Sequence, residues 1–153
     1  MFILQENPID IASFKNTGAP ADGGADGALV TFEGIVRADQ HGSGKACLPD
    51  RQVSVLQYIA DTPACSAEGE KIVAEALSLF PVTRAVCVQR VGKLNVGETA
   101  VWIGVWAGHR DEAFKASRYI IEEVKKRLLI WKKEFFADGT SDWVRGCQHE
   151  VKI

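Results

Sequence analysis

The chain has 153 residues, 46% apolar and 25% charged, a size and composition that suit one globular domain with a substantial core. A formal net charge of −2 excludes the global basic field that draws nucleic acid, so any anion binding must come from a local cluster. No apolar run approaches the ~20 residues that cross a bilayer, and MFILQENPID at the start lacks the basic and long apolar regions of a signal peptide, so a cytoplasmic protein away from membranes is expected.

FILQ (2–5) reads as a short strand. Pro8 suits the first turn of a helix through IDIASFKN, with Ile9, Ala12 and Phe14 on its apolar face. TGAPADGGADG (17–27) is a loop. ALVTFEGIVR (28–37) alternates as a strand with a bend at Gly34. ADQHGSGKACLPDR (38–51) is polar loop, and QVSVLQYIA (52–60) a second strand. Pro63 and Ser66 open a helix running to about Phe80, with Ile72, Val73, Ala76, Leu77 and Phe80 on one side, and Pro81 stops it. TRAVCVQRVGKL (83–94) reads as one strand, NVGE as a turn, and TAVWIGVWAG (99–108) as the most strand-like stretch of all. From Asp111 to about Phe136 runs the longest helical pattern, followed by a turn at FADGTSDW and a short tail. Helices and strands mix without strict alternation, which favours an α+β domain with a mostly antiparallel sheet.

On a wheel for that last helix, Ala113, Ala116, Ile120, Val124, Leu128, Trp131 and Phe135 share one sector of roughly 120°, the expected buried stripe. Arg118, Lys125 and Lys132 recur at intervals of seven along its edge, while Lys115, Lys126 and Lys133 point to solvent. A lysine beside apolar surface is partly desolvated, and its amine can serve as acid, base or nucleophile. On a helix Lys125 and Lys132 would stand about 10 Å apart, matching two ends of one anionic ligand. The commoner reading of the same pattern is that such lysines lay their stems along the core edge and keep their heads in water.

Two further basic points stand out. His109 and Arg110 fall where the strongest strand gives way to the helix, a place where free N–H groups and partial positive charge favour an anion, with Asp111 as a capping residue. Arg37 ends a strand before a polar loop. No Ser/His/Asp order, Walker loop or GxGxxG competes, so no bound cofactor is expected. Cys47, Cys65, Cys87 and Cys147 form no CxxC pair and have no histidine at zinc spacing, so reduced thiols and no metal site are expected, with Cys87 inert in its apolar strand and Cys47 the most reactive candidate.

FEGIVR (32–37), VGKLNVGE (91–98), GHRDEAF (108–114), VKKRLLIWKKE (124–134) and the following DG…DWV resemble, in order and spacing, the large catalytic subunit of molybdopterin synthase, over nearly the whole chain. The resemblance implies an α/β-hammerhead-type α+β fold filling residues 1–153 as a single domain. It implies a homodimer within a heterotetramer, each copy taking up a small ubiquitin-like sulfur carrier whose C-terminal Gly-Gly ends in a thiocarboxylate. It implies transfer of two sulfurs to cyclic pyranopterin monophosphate, giving the dithiolene of molybdopterin. The matching positions are Arg37, His109, Arg110, Lys125 and Lys132, with backbone at Ile35, Val36, Lys133 and Glu134 lining the same pocket. Lys125 and Lys132 are the implied catalytic pair. Where the family usually carries a proline before its aromatic–Trp–Lys step, this chain has Leu129; where it usually has acidic residues and a His, Gln57, Ile59 and Gln89 stand instead. Two other readings use the same residues: a non-catalytic module binding a ubiquitin-like tail or a phosphate ligand, and a small nucleic-acid-binding domain on the basic helix. The net charge and the interleaved Glu122, Glu123 and Glu134 count against the second.

Overall fold

The computed structural model describes residues 1–16, 24–39 and 52–144. In chain order the elements are β1 (Phe2–Gln5), α1 (Ile11–Asn16), β2 (Ala28–Ile35), β3 (Val53–Ala60), α2 (Thr62–Leu79), β4 (Val82–Arg90), β5 (Gly92–Asn95), β6 (Thr99–Ala107), α3 (Arg110–Arg127), β7 (Ile130–Phe136) and β8 (Ser141–Trp143). They build two four-stranded sheets. The first has the order β1-β4-β6-β2 and the second β5-β3-β7-β8. Among the described residues only the β1–β4 pair is parallel, so the α+β, mostly antiparallel architecture expected from the sequence is what forms.

The first sheet is organised by β6, whose Val, Ile and Trp residues suit a strand buried on both faces. Val101, Ile103, Val105 and Ala107 face one core, which α2 closes with Cys65, Ile72, Val73 and Ala76 and α3 with Ala113, Ala116, Ile120 and Val124. Trp102 and Trp106 face the other side with Val86 and Val88, where Ile9, Ile11 and Phe14 of the α1 region cover them. Each fully buried aliphatic side chain in these layers contributes about 1.5–3 kcal/mol. α2 starts on Asp61, whose carboxylate accepts the Ala64 N–H at 3.1 Å, and ends before Pro81. Its inner face carries Gly69 because Phe2 lies there: a Cβ at Gly69 would meet the Phe2 ring at 2.3–2.5 Å.

The second sheet has a smaller core of Val36, Leu56, Tyr58, Leu94 and Ala100, and Ile130 packs against both this and the helix-covered core. β2 links the sheets. Its pairing with β6 shifts at Gly34/Ile35, the bend expected from the glycine. Beyond it the Val36 N–H donates to Glu98 O at 3.0 Å and the Ala38 carbonyl accepts from Val53 N at 2.8 Å, so the chain passes from one sheet to the other through Arg37.

Five expectations need correcting. The stretch 83–94 is not one strand: β4 ends at Arg90, and Gly92, at φ +87, turns the chain into β5 of the other sheet. The first helix begins only at Ile11, after Pro8 and Ile9, and Ala12 is exposed. Leu77, one residue past buried Ala76, is rotated to solvent. Most consequentially, the last helix stops at Arg127. Leu128 takes extended backbone angles, and residues 130–136 form β7 against β3. The stretch expected as a turn at 136–143 holds a tight turn at Gly139 and then β8.

Candidate functional site

The break after Arg127 changes the geometry of the lysines. Lys125 rides the last turn of α3 and is exposed rather than set against the core. Lys132 is not on the helix at all, so the seven-residue row and the helical spacing between the two lapse. On β7, where side chains alternate, Trp131 is exposed instead of completing a helical stripe. Lys132 and Lys133 point to opposite faces. Lys132 lies opposite Tyr58 of β3, its Nζ 5.6 Å from the ring centroid. Lys133 lies over Phe135 and Trp143, 5.4 Å from each ring. Glu134, opposite Leu56, is 2% exposed. The Tyr58 hydroxyl is pushed up to about 12 by burial, so the ring under Lys132 stays neutral. Lys115 and Lys126 are in solvent as expected, paired with Asp111 at 2.7 Å and Glu123 at 3.6 Å. Asp111 is thus engaged by Lys115, and the N-cap position of α3 falls to His109, which makes no side-chain cap bond.

Arg37 stands at the crossing between the sheets, exposed and paired with Asp39 at 3.2 Å. Its neighbour Val36 shares the small core with Tyr58, the residue beneath Lys132. Exposed Ile35 ends β2 opposite Thr99. Lys125 belongs to this end as well. α3 starts after a two-residue link from β6 and packs back along it, and its 18 residues, ~27 Å of helix, bring it to Ile130, which touches the core of Val36 and Ala100. Arg37, Lys125 and Lys132 are therefore gathered at one end of the first sheet, where the second sheet meets it.

His109 and Arg110 are at the other end. They follow Ala107, which pairs with Ala28 at the start of β2, whereas Arg37 follows the end of β2. Seven residue steps of strand separate Ala28 from Ile35, about 24 Å at ~3.4 Å per residue. One chain cannot bring all five basic residues to one small ligand.

Sequence reasoning missed Tyr58, whose place beneath Lys132 appears only from the β3–β7 register. It also missed Arg127, which binds Glu68, Glu75 and Glu123 between α2 and α3. A shallow depression on α2, lined by Lys71, Ala74, Glu75, Ser78 and Leu79, includes none of the basic residues expected in the site. Among the described residues no group of His, Cys, Asp and Glu is arranged to hold a metal ion, and no helix is long and apolar enough to cross a membrane. Cys65 and Cys87 are buried and unpaired, and burial pushes the Cys87 thiol up to about 12, which leaves it protonated and unreactive. Cys47 and Cys147 lie outside the described residues.

The family model described as "MoaE protein" matches residues 4–127, up to the end of α3. A molybdopterin synthase catalytic subunit from a Nostoc species is 38% identical over 133 residues, 86% of this chain and 76% of that protein. The molybdopterin synthase from Staphylococcus aureus superposes with a TM-score of 0.78 at 30% identity, covering 93% of this chain and 95% of its own. A protein–protein complex of subunits 1 and 2 of the molybdopterin-converting factor from Helicobacter pylori shares the fold, with a TM-score of 0.73 at 18% identity over 97% of this chain and 92% of that one.

Proposed function

The chain belongs to the MoaE protein family, and from that premise we propose that it acts as a catalytic subunit of molybdopterin synthase, a sulfurtransferase that works as one domain over residues 1–153. Its partner is a small ubiquitin-like carrier with a C-terminal Gly-Gly thiocarboxylate, and its substrate is cyclic pyranopterin monophosphate. The observation that carries the reading is the gathering of Arg37, Lys125 and Lys132 where the two sheets meet, with Lys132 set over Tyr58. Sulfur arrives on the carrier, so the protein needs no nucleophile of its own, in keeping with the buried, protonated Cys87. The Lys125 ammonium meets the carrier's terminal carbonyl and, once the carrier's sulfur has bonded to the pterin, stabilises the oxyanion formed as water adds to that carbonyl; its collapse breaks the acyl C–S bond, leaving the sulfur on the pterin and a carboxylate on the carrier. Lys132 binds the pterin or its intermediate and supplies a proton. The backbone of Ile35 and Val36 and the strand at Lys133 and Glu134 wall the pocket, and Arg37 contributes to holding the cyclic phosphate.

His109 and Arg110 hold that phosphate too, but from a second copy. The ~24 Å between the two ends of β2 supports a homodimer in which each copy lends its His109–Arg110 corner, at the start of α3, to the other's lysines. With one carrier per copy the working assembly is a heterotetramer. The test is to mix the purified protein with thiocarboxylated carrier and cyclic pyranopterin monophosphate and assay for dithiolene. Product is expected in proportion to carrier consumed. Tight carrier binding without product would leave a non-catalytic tail-binding module in its place.

A further inference from the structure

Arg127 ends α3, two residues after Lys125 and five before Lys132. Its guanidinium is gripped by carboxylates from two helices. Nε donates to Glu68 Oε1 at 2.6 Å, and Nη2 meets the same oxygen at 2.5 Å. Nη1 and Nη2 donate to the two oxygens of Glu75 at 2.6 and 3.0 Å. Nη1 also reaches Glu123 on its own helix at 3.2 Å. The Tyr119 hydroxyl, about two turns earlier on α3, donates to Glu75 at 2.8 Å and holds that carboxylate in place. Two residues further on, the Leu129 carbonyl accepts from the Cys65 thiol at 3.2 Å. Glu68, Glu75 and Cys65 all belong to α2. The helix therefore fastens both sides of the α3–β7 junction, by a side chain at 127 and by a carbonyl at 129.

That junction sets where two lysines stand relative to each other. Lys125 is carried by the turn just before it and Lys132 by the strand just after it. An isolated ion pair at a half-exposed position contributes little stability. A planar fork bound at fixed angles by two carboxylates of one helix instead fixes orientation, which a lysine's single ammonium cannot reproduce. We propose that Arg127, held by Glu68 and Glu75, is a positioning residue that sets the Lys125–Lys132 geometry for sulfur transfer. This rests on the function proposed above. A misplacement of about 1 Å at a reacting group can cost on the order of 100-fold in rate, so the junction is where a remote substitution would be felt.

The experiment is a double-mutant cycle on single-turnover sulfur transfer, run well below the melting temperature of every variant, beside a readout that needs no turnover. Arg127→Gln is expected to slow transfer roughly 10- to 100-fold while precursor affinity stays within about threefold. In a Lys125→Ala background the same substitution is expected to cost almost nothing more, because it acts through that lysine. Arg127→Lys should recover only part of the rate. Should Arg127→Gln fail to fold, the Glu68→Gln/Glu75→Gln double variant, which releases the fork and leaves Arg127 in place, carries the same expectation. In parallel, lysines are reductively methylated with 13C and followed by NMR. The Lys125 and Lys132 signals should move in Arg127→Gln while that of Lys115, paired with Asp111 at the far end of α3, stays. An unchanged transfer rate, losses that add in the cycle, or unmoved Lys125 and Lys132 signals would each overturn the proposal. Absence of transfer by the unsubstituted protein would instead count against the proposed function, and the NMR arm would still decide the positioning.

Discussion

Tyr58 offers a sharp test of the strand geometry around Lys132. The ammonium lies 5.6 Å from the ring centroid, within cation–π range, and the ring is 8% exposed. Such a contact is worth about 0.5–1 kcal/mol at an exposed site and about 2 when desolvated. Lys132 is half-buried, so roughly 1 kcal/mol is the appropriate figure, a factor of about five. Tyr58→Leu removes the ring face and should weaken precursor binding or slow transfer by about that factor. Tyr58→Phe keeps the ring and should stay within about twofold. The leucine variant will also lose stability, by less than the ~3–5 kcal/mol of an aromatic-to-alanine change, so both proteins must be compared below their melting temperatures. The assay is precursor titration by calorimetry together with single-turnover transfer. If the phenylalanine variant falls as far as the leucine variant, the hydroxyl matters and not the ring face. If neither falls, Tyr58 does not place Lys132, and the assignment of that lysine to the inner face of β7 loses its functional meaning.

Other consequences are as direct. Lys125→Ala should cut transfer by about 100-fold or more, the scale of losing one preorganised donor to developing charge, whereas Lys126→Ala, with its ammonium in solvent beside Glu123, should stay near wild type; equal losses in two folded variants would refute the distinction. Arg37→Ala and Arg110→Ala chains, each inactive alone, should recover about one quarter of wild-type activity on mixing with subunit exchange, because half the dimers are mixed and each of those has one intact site; no recovery would place all five basic residues within one copy. The Glu75 carboxyl is held below the ordinary glutamate range, first by its hydrogen bond from Arg127 and then by that from Tyr119. Its folded value lies below its unfolded one, so its contribution to stability is full above the ordinary glutamate range and is lost as the pH falls through the folded value. Thermal melts should therefore decline more steeply with acidification in the unsubstituted protein than in Glu75→Gln.

The parts of the fold legible in the sequence were those with a strong period and clear punctuation. β6 announced itself by Val, Ile and Trp, and α2 by Pro63, Ser66 and the stop at Pro81. The α3–β7 boundary had no such mark. Between Arg127 and Ile130 stand Leu128 and Leu129, neither glycine nor proline, and the lysine pairs on either side repeat at seven, which a helical wheel accepts. At Leu129, where the resemblance implies a proline, this chain lacks the residue that would have disfavoured helix before it. What ends the helix is tertiary: β3 offers β7 a full ladder, and α2 holds Arg127 and Leu129 on its own terms. The five basic residues could be picked out as candidates, but their division between two ends of a sheet could not, because no local pattern states which strand ends meet.

That division bears on how the protein would have to assemble. α3 carries a basic corner at its start and Lys125 at its finish, with ~27 Å of rigid helix between them. One arginine or lysine side chain is much shorter than that gap, and bending the helix would tear Ala113, Ala116, Ile120 and Val124 out of the main core. A ligand the size of a pterin phosphate can meet both ends only if two helices contribute opposite ends. Under a two-fold axis that exchange is reciprocal, so one pairing of copies completes two sites at once. The same helix then serves one site by its N-terminal partial charge and the other by the ammonium of its last turn. A substitution at Arg110 would accordingly be felt at the neighbour's lysines, and one at Arg127 at its own.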